Sequence, residues 1–190
     1  PEGLISLYPS VDYFNSYLES FFVDRMYYQN KYHSAVPNPY FWAGNEVDSF
    51  AVWLFNYGSK CTRTQYWSRN ITEESFSNSP HGTPGNEDYG AMASWLMFTS
   101  LGLYPQAGTT NYLIGSPRVS TASMELKHLH SSSTLNIMTY NNSKTNVYVE
   151  KLLVNGKEHT STIIDRRVLV DKRGCTLEFF MTNIEKSGLC

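Results

Sequence analysis

Two short clusters of oxygen-bearing side chains stand out from the rest of the chain. Gly85-Asn86-Glu87-Asp88-Tyr89-Gly90 follows a Pro/Gly loop and precedes an apolar run at helical spacing, so three acceptor side chains sit in a row at a helix start. Backbone N–H groups and the positive dipole end favour an ionised Asp88 there. That is the state a general base needs to take a proton from water, with Asn86 and Glu87 in support. A plain N-cap role for Asp88 accounts for the same residues. Trp42-Ala43-Gly44-Asn45-Glu46 is a second cluster of this kind, also opening a predicted helix. Asn45 and Glu46 offer the amide and carboxylate oxygens that a hard cation such as calcium takes, and an Asn-Glu pair at a helix start is equally an ordinary cap. If the two helices are neighbours, their Gly-Asn-Glu triplets can converge on one site.

Other hydrolytic chemistries lack their parts. His33, His81, His128, His130 and His159 form no helical pair of the HExxH kind, and His128 and His130 alternate along a predicted strand. No serine lies in a nucleophile elbow. Cys61, Cys175 and Cys190 are too few and too irregular for a zinc site or a disulfide framework, and none sits in an activated setting. The odd count leaves at least one thiol unpaired within the chain.

Helices position both clusters. Ser10 can cap a segment in which Val11, Phe14, Leu18, Phe21 and Phe22 recur at helical spacing, running on toward Tyr28. A second helix, Glu46 to Tyr57, sets Val47, Phe50 and Leu54 on one face. The third starts at Thr62, a candidate N-cap, includes Tyr66, Arg69 and Glu73, and breaks up in the loop from Ser75 to Pro84. Asp88 caps the fourth, Tyr89 to Leu101, which Gly102 and Pro105 stop. After residue 110 the period becomes strand-like: Asn111–Ile114, Val119–Leu126, Thr134–Tyr140, Asn146–Leu153 and Thr176–Met181, with Asn155-Gly156 a hairpin turn. Helices followed by antiparallel strands make an α+β arrangement. The helices are aromatic on more than one face, which predicts partners outside the chain.

Composition narrows the partner. With 190 residues, 41% of them hydrophobic, the chain can bury a sizeable core. A net charge of −2 with scattered Lys and Arg excludes the basic stripe that holds nucleic acid. Aromatics at 15%, including 14 Tyr and 4 Trp, suit a surface that stacks on sugar rings. No apolar run is long enough to span a membrane. The start, Pro1-Glu2-Gly3-Leu4-Ile5, carries no initiator Met and no signal segment, as expected of a piece of something longer. Asn70-Ile71-Thr72 and Asn141-Asn142-Ser143 are glycan acceptors if the chain passes through a secretory, extracellular route.

The stretch Thr83-Pro84-Gly85-Asn86-Glu87-Asp88-Tyr89-Gly90-Ala91-Met92-Ala93-Ser94-Trp95, continuing through Leu101-Gly102-Leu103-Tyr104-Pro105 to Tyr112-Leu113-Ile114-Gly115-Ser116-Pro117, closely resembles glycoside hydrolase family 92, and its fungal-type members most. Ala43-Gly44-Asn45-Glu46, Leu54-Phe55-Asn56-Tyr57 and Val154-Asn155-Gly156-Lys157 add to the resemblance. It implies a calcium-dependent, inverting exo-α-mannosidase acting on terminal mannose of N-glycans or mannan. The implied fold is the last helices of an (α/α)6 barrel (1–108) followed by an antiparallel β-rich tail of the same catalytic domain (109–190). Asp88 matches the general base, Asn45 and Glu46 match the calcium segment, and Trp42 and Asn86 fall in sugar-contacting stretches. The general acid, a Glu in the family, precedes the segment that Pro1–Ile5 resembles, so the chain alone is expected to be inactive without the N-terminal remainder of the protein. The family commonly has Pro where Val47 stands, and an acid in some members where Asn86 stands. A non-catalytic carbohydrate-binding homologue is the alternative reading.

Overall fold

The computed structural model describes residues 1–32, 39–127 and 132–190. His33, His128 and His130, and with them the expected alternation of the last two, lie outside the described residues.

Helices occupy the first half. A single turn, α1 (Glu2–Ile5), leads into α2 (Val11–Tyr32). Ser10 caps α2 as expected, its hydroxyl accepting from the Tyr13 backbone N–H at 3.1 Å. Phe14, Leu18 and Phe22 are buried on the inner face of α2. The second expected helix is a 3-10 helix, Glu46–Asn56, rather than an α-helix. Three residues per turn changes which side chains face inward. Val52, Trp53, Phe55 and Asn56 are buried, and Val47, expected on the apolar face, is 80% exposed. Helix α3 (Cys61–Ser75) starts one residue before Thr62, with Lys60 at the N-cap and no side-chain cap. Helix α4 spans Ala91–Ser100, starting two residues later than the sequence suggested, and Gly102 at φ 74° ends the run.

Strands follow in two sheets. The smaller has the order β1 (Leu103–Pro105), β2 (Asn111–Ile114), β7 (Ile163–Asp165). The larger has the order β3 (Thr121–Lys127), β4 (Ser132–Tyr140), β8 (Cys175–Thr182), β5 (Tyr148–Val154), β6 (Lys157–His159). A further helical turn, α5 (Arg166–Leu169), joins β7 to the chain leading into β8. Asn155 and Gly156, at φ 51° and 76°, make the tight turn between β5 and β6. The sheet is not wholly antiparallel: β4 and β8 pair parallel, so the larger sheet is mixed. Side-chain alternation marks a strand but says nothing of its partner, and the long connection from β4 to β8 permits a parallel return.

Strand β2 divides the core. Leu113 packs with Phe14, Phe22, Trp53, Trp67 and Trp95 of the helical half. Ile114 points the other way, among Leu135, Ile137, Val149, Leu177 and Phe179 between the sheets. Buried Gln65 of α3 fastens the halves, accepting from the Val149 backbone N–H at 2.9 Å and donating to Ser187 at 3.1 Å. A disulfide joins Cys61, at the start of α3, to Cys190 across 129 residues of chain. Closing a loop of that length removes roughly 4–5 kcal/mol of unfolded-state entropy in the chain-entropy picture. Cys175 is the unpaired thiol, and burial pushes it up to about 11, leaving it inert.

Candidate active site

The two Gly-Asn-Glu triplets meet at their glycines. A Cβ on Gly85 would lie 2.3 Å from the Gly44 carbonyl oxygen, and one on Gly44 would lie 2.7 Å from the Gly85 nitrogen. No side chain fits between two backbones at that separation, and Gly85 also has φ 65°. Asn45 and Asn86 each follow this contact directly, about 3.8 Å of chain beyond it. A second tie runs between the elements behind the loops: the Trp95 indole N–H of α4 donates to the Ser49 carbonyl of the 3-10 helix at 3.0 Å.

The first loop turns at Ala43-Gly44, with the Asn45 N–H donating to the Trp42 carbonyl at 3.1 Å. Asp48 holds the turn from the far side. Its carboxylate accepts from the Trp42 N–H at 3.0 Å and from the Asn45 side chain. Burial pushes the Asp48 carboxyl up, and those two hydrogen bonds pull it back. Asn45 is the N-cap residue of the 3-10 helix, in extended conformation, with no side-chain bond to the helix's own N–H groups. Trp42, Asn45 and Glu46 are half-buried, and the Trp42 indole lies against Gly44.

The second loop is built differently. Glu87, not Asp88, caps α4: its carboxylate accepts from the Ala93 N–H at 3.1 Å, and its carbonyl accepts from Ala91 at 3.0 Å. The expectation that Asp88 is the cap is therefore corrected, because the residue at the N-cap is Gly90 with φ 84°. Asp88 (φ 41°), Tyr89 (φ 58°) and Gly90 form three successive left-handed residues. Non-glycine residues in this region cost roughly 1–2 kcal/mol each, with Asp the more tolerant of the two types here. Tyr89 recovers nothing by packing, since it is fully exposed. This turn leaves the Asp88 side chain in solvent with no hydrogen bond among the described residues. Asn86 is likewise exposed.

Such an arrangement leaves an uncommitted carboxylate just before a helix N-terminus, three residues along the chain from the contact with an oxygen-bearing loop. Strain held at a polar, exposed turn is what functional sites show when the surroundings fix a costly backbone. As donors for a hard cation, the Asn45 amide oxygen and the Glu46 carboxylate are the right chemistry, and Glu46 has no hydrogen-bonding or ionic partner among the described residues. Calcium takes 6–8 oxygens, so these two residues fill part of a shell. Among the described residues no group of three or more Asp, Glu, His or Cys converges. Sequence reasoning missed Asp48 and Trp95 as braces. Asp48 was detectable as an acid three residues after a helix N-cap, the position from which a side chain reaches back.

Known proteins resemble this chain throughout. The sequence profile described as "Glycosyl hydrolase family 92 catalytic domain" matches residues 1–183. An uncharacterised secreted glycosidase of Arthroderma benhamiae is 28% identical over 144 residues, covering 76% of this chain and 18% of that protein. A family 92 α-mannosidase of Bacteroides thetaiotaomicron is 27% identical with TM-score 0.77, over 94% of this chain and 23% of its own. The same enzyme in complex with mannoimidazole aligns at 31% identity and TM-score 0.68, over 77% and 18%. A family 92 inverting mannosidase of that bacterium superimposes at TM-score 0.80 and 25% identity, over 100% of this chain and 27% of its own. The chain thus spans about a fifth to a quarter of the length of these relatives. A catalytic-domain profile over nearly every residue and superposition on solved members of one family agree with the paired glycine loops, and the chain belongs to glycosyl hydrolase family 92.

Proposed function

We propose that this chain supplies the general base and part of a calcium site to a longer, secreted, inverting exo-α-mannosidase that removes terminal mannose from N-glycans or mannan. The observation that carries the reading is the Gly44–Gly85 backbone contact, which brings the two Gly-Asn-Glu loops together, with the uncommitted Asp88 three residues after Gly85. Asp88 takes a proton from water as the water oxygen attacks the anomeric carbon and the glycosidic C–O bond breaks. The leaving oxygen is protonated by an acid from elsewhere in the longer protein, roughly 6.5–9.5 Å from the base so that a water fits between. Asn45 and Glu46 would hold the calcium ion. When bound, that ion grips the sugar hydroxyls. Asn86 and the Trp42 indole border the same loops and would contact the sugar.

Residues 1–108 would be the last helices of an (α/α)6 barrel and residues 109–190 its β-rich tail. The more than half exposed Tyr13 and Tyr17 along α2 support this, since a helix that leaves aromatic surface in water has a face for neighbouring helices to cover. The test is hydrolysis of α-mannobiosides by the full-length protein with chelator and with calcium restored, following the anomer released. Loss on chelation, recovery with calcium and release of β-mannose are expected. Turnover indifferent to chelator would remove the metal assignment. Release of the α-anomer would remove the single-displacement role of Asp88. This chain alone should hydrolyse nothing.

A further inference from the structure

The two Asn-X-Ser/Thr triplets sit in opposite surroundings, and we infer that Asn141 is an N-glycosylation site whereas Asn70 stays unmodified in the folded protein. This stands apart from the mannosidase reading, because it rests on the hydrogen bonding and exposure of two asparagines and gives no role to Asp88, Asn45 or Glu46.

The compartment comes first. A bond between Cys61 and Cys190 forms and persists in an oxidising lumen or outside the cell. In a eukaryotic host, a chain that acquires it passes the oligosaccharide-transfer machinery of the secretory route. There the Asn141 amide nitrogen would attack the anomeric carbon of a lipid-diphosphate-linked oligosaccharide. The N–C bond forms as the C–O bond to the diphosphate breaks. The lipid diphosphate leaves with the electron pair, and the amide gives up one proton to a base.

Transfer precedes folding, so the fold decides which modified chain can reach its native state. Asn141 is exposed at the turn after β4, with φ 58°. The polar groups around it are engaged. Asn142 accepts from Arg69 at 2.9 Å and donates to the Arg118 carbonyl at 2.9 Å. The Ser143 hydroxyl accepts from the Asn146 N–H at 2.9 Å, and the Asn146 side chain donates to the Asn141 carbonyl at 2.7 Å. The Asn141 side-chain amide makes no hydrogen bond among the described residues. A glycan there displaces nothing from a turn that its neighbours already hold.

Asn70 lies inside α3, followed by Ile71 and Thr72, both 0% exposed. Its amide nitrogen donates to Glu74 at 2.8 Å, and its oxygen accepts from Arg25 at 3.0 Å. Arg25 is 4% exposed, paired with Glu74 at 2.8 Å and set over the rings of Phe41 and Trp67. A sugar on the Asn70 nitrogen would push into that network and separate a buried guanidinium from its partners. Chains modified at Asn70 are therefore expected to be retained and degraded rather than secreted.

The test is site occupancy in the full-length protein secreted from a eukaryotic host. Enzymatic deglycosylation in isotopically labelled water marks each formerly occupied asparagine for peptide mass spectrometry. The label is expected on the Asn141 peptide and absent from the Asn70 peptide. Asn141→Gln should remove one glycan's worth of mass, Ser143→Thr should keep it, and Asn70→Gln should leave the mass distribution unchanged. A bare Asn141, or a glycan on Asn70 in secreted protein, overturns the inference. Both peptides are read in the unsubstituted protein, so a variant that fails to accumulate does not decide the result.

Discussion

The two Gly-Asn-Glu loops carry the same three residues to two helix starts and use them differently. In the first, Asn45 stands at the cap position and Glu46 lies in the opening turn of a 3-10 helix, with Asp48 reaching back to the Trp42 N–H. In the second, Glu87 reaches forward to the Ala93 N–H, and three left-handed residues separate the triplet from its helix. The difference lies in the residues that follow. Val47-Asp48 continues directly into a helix and supplies the brace, whereas Asp88-Tyr89-Gly90 coils the opposite way and releases Asp88 from capping. A triplet therefore predicts where two loops touch, through its glycine, but the next three residues decide which acid is structural and which is free.

The largest effect expected from this contrast is on turnover. Asp88→Ala in the full-length protein should lower kcat on an α-mannobioside by about 10²–10⁴-fold, the usual worth of a positioned general base. Its melting temperature should hardly move, because the side chain is exposed and makes no hydrogen bond among the described residues. Near-normal turnover would show that Asp88 is as structural as its neighbour Glu87. Next is the contact itself. Gly85→Ala must move the Gly44 carbonyl and strain a backbone at φ 65°, costing roughly 2–4 kcal/mol in a denaturation titration. Gly90→Ala is the control. Its new Cβ would meet only the Glu87 carboxylate at 3.9 Å, so strain alone applies, about 1–2 kcal/mol. Equal losses at the two glycines would mean that the loops do not depend on touching.

Much of the architecture was legible because local rules act locally. Ser10 capped its helix, Asn155-Gly156 turned its hairpin, and strand β2 ran from Asn111 to Ile114 as its alternation suggested. What could not be read depends on partners distant in the chain. Nothing in Thr134–Tyr140 or Thr176–Met181 announces that the two strands lie parallel, and spacing alone does not pair Cys61 with Cys190. At the candidate site the miss was of another kind. Asp88 beside an apolar helix reads as a cap because Asp-Tyr has no propensity for two left-handed residues. That turn exists against local preference, and so sequence rules placed the helix start two residues early. The approach of the two loops was legible as a possibility in the repeated Gly-Asn-Glu, and their backbones do touch, at Gly44 and Gly85.

Asp48 provides a smaller perturbation on the other loop. Asp48→Ala removes acceptors for the Trp42 N–H and the Asn45 side chain, with an expected loss of about 1–2 kcal/mol. If Asn45 serves calcium, the concentration of calcium giving half-maximal activity should rise while kcat at saturating calcium is retained. A fall in kcat that calcium cannot reverse would make Asp48 part of the sugar site instead of a brace.

The smallest effect discriminates most cleanly between the loops, because the same substitution should have opposite signs. Val47 and Asp88 each follow a Gly-Asn-Glu triplet, and both side chains are exposed. Val47 lies in a right-handed helix, where glycine only adds unfolded-state entropy, so Val47→Gly should lower stability by ~0.5 kcal/mol. Asp88 is held at φ 41°, where glycine relieves more backbone strain than its entropy costs, so Asp88→Gly should raise stability by roughly 0.5–1 kcal/mol. A variant that is more stable yet inactive would show that the left-handed turn is kept for what Asp88 does, at a cost the fold would otherwise shed. Destabilisation by both substitutions would mean that Asp88 contributes to the fold as Val47 does, and the distinction between a structural and a free acid would be lost.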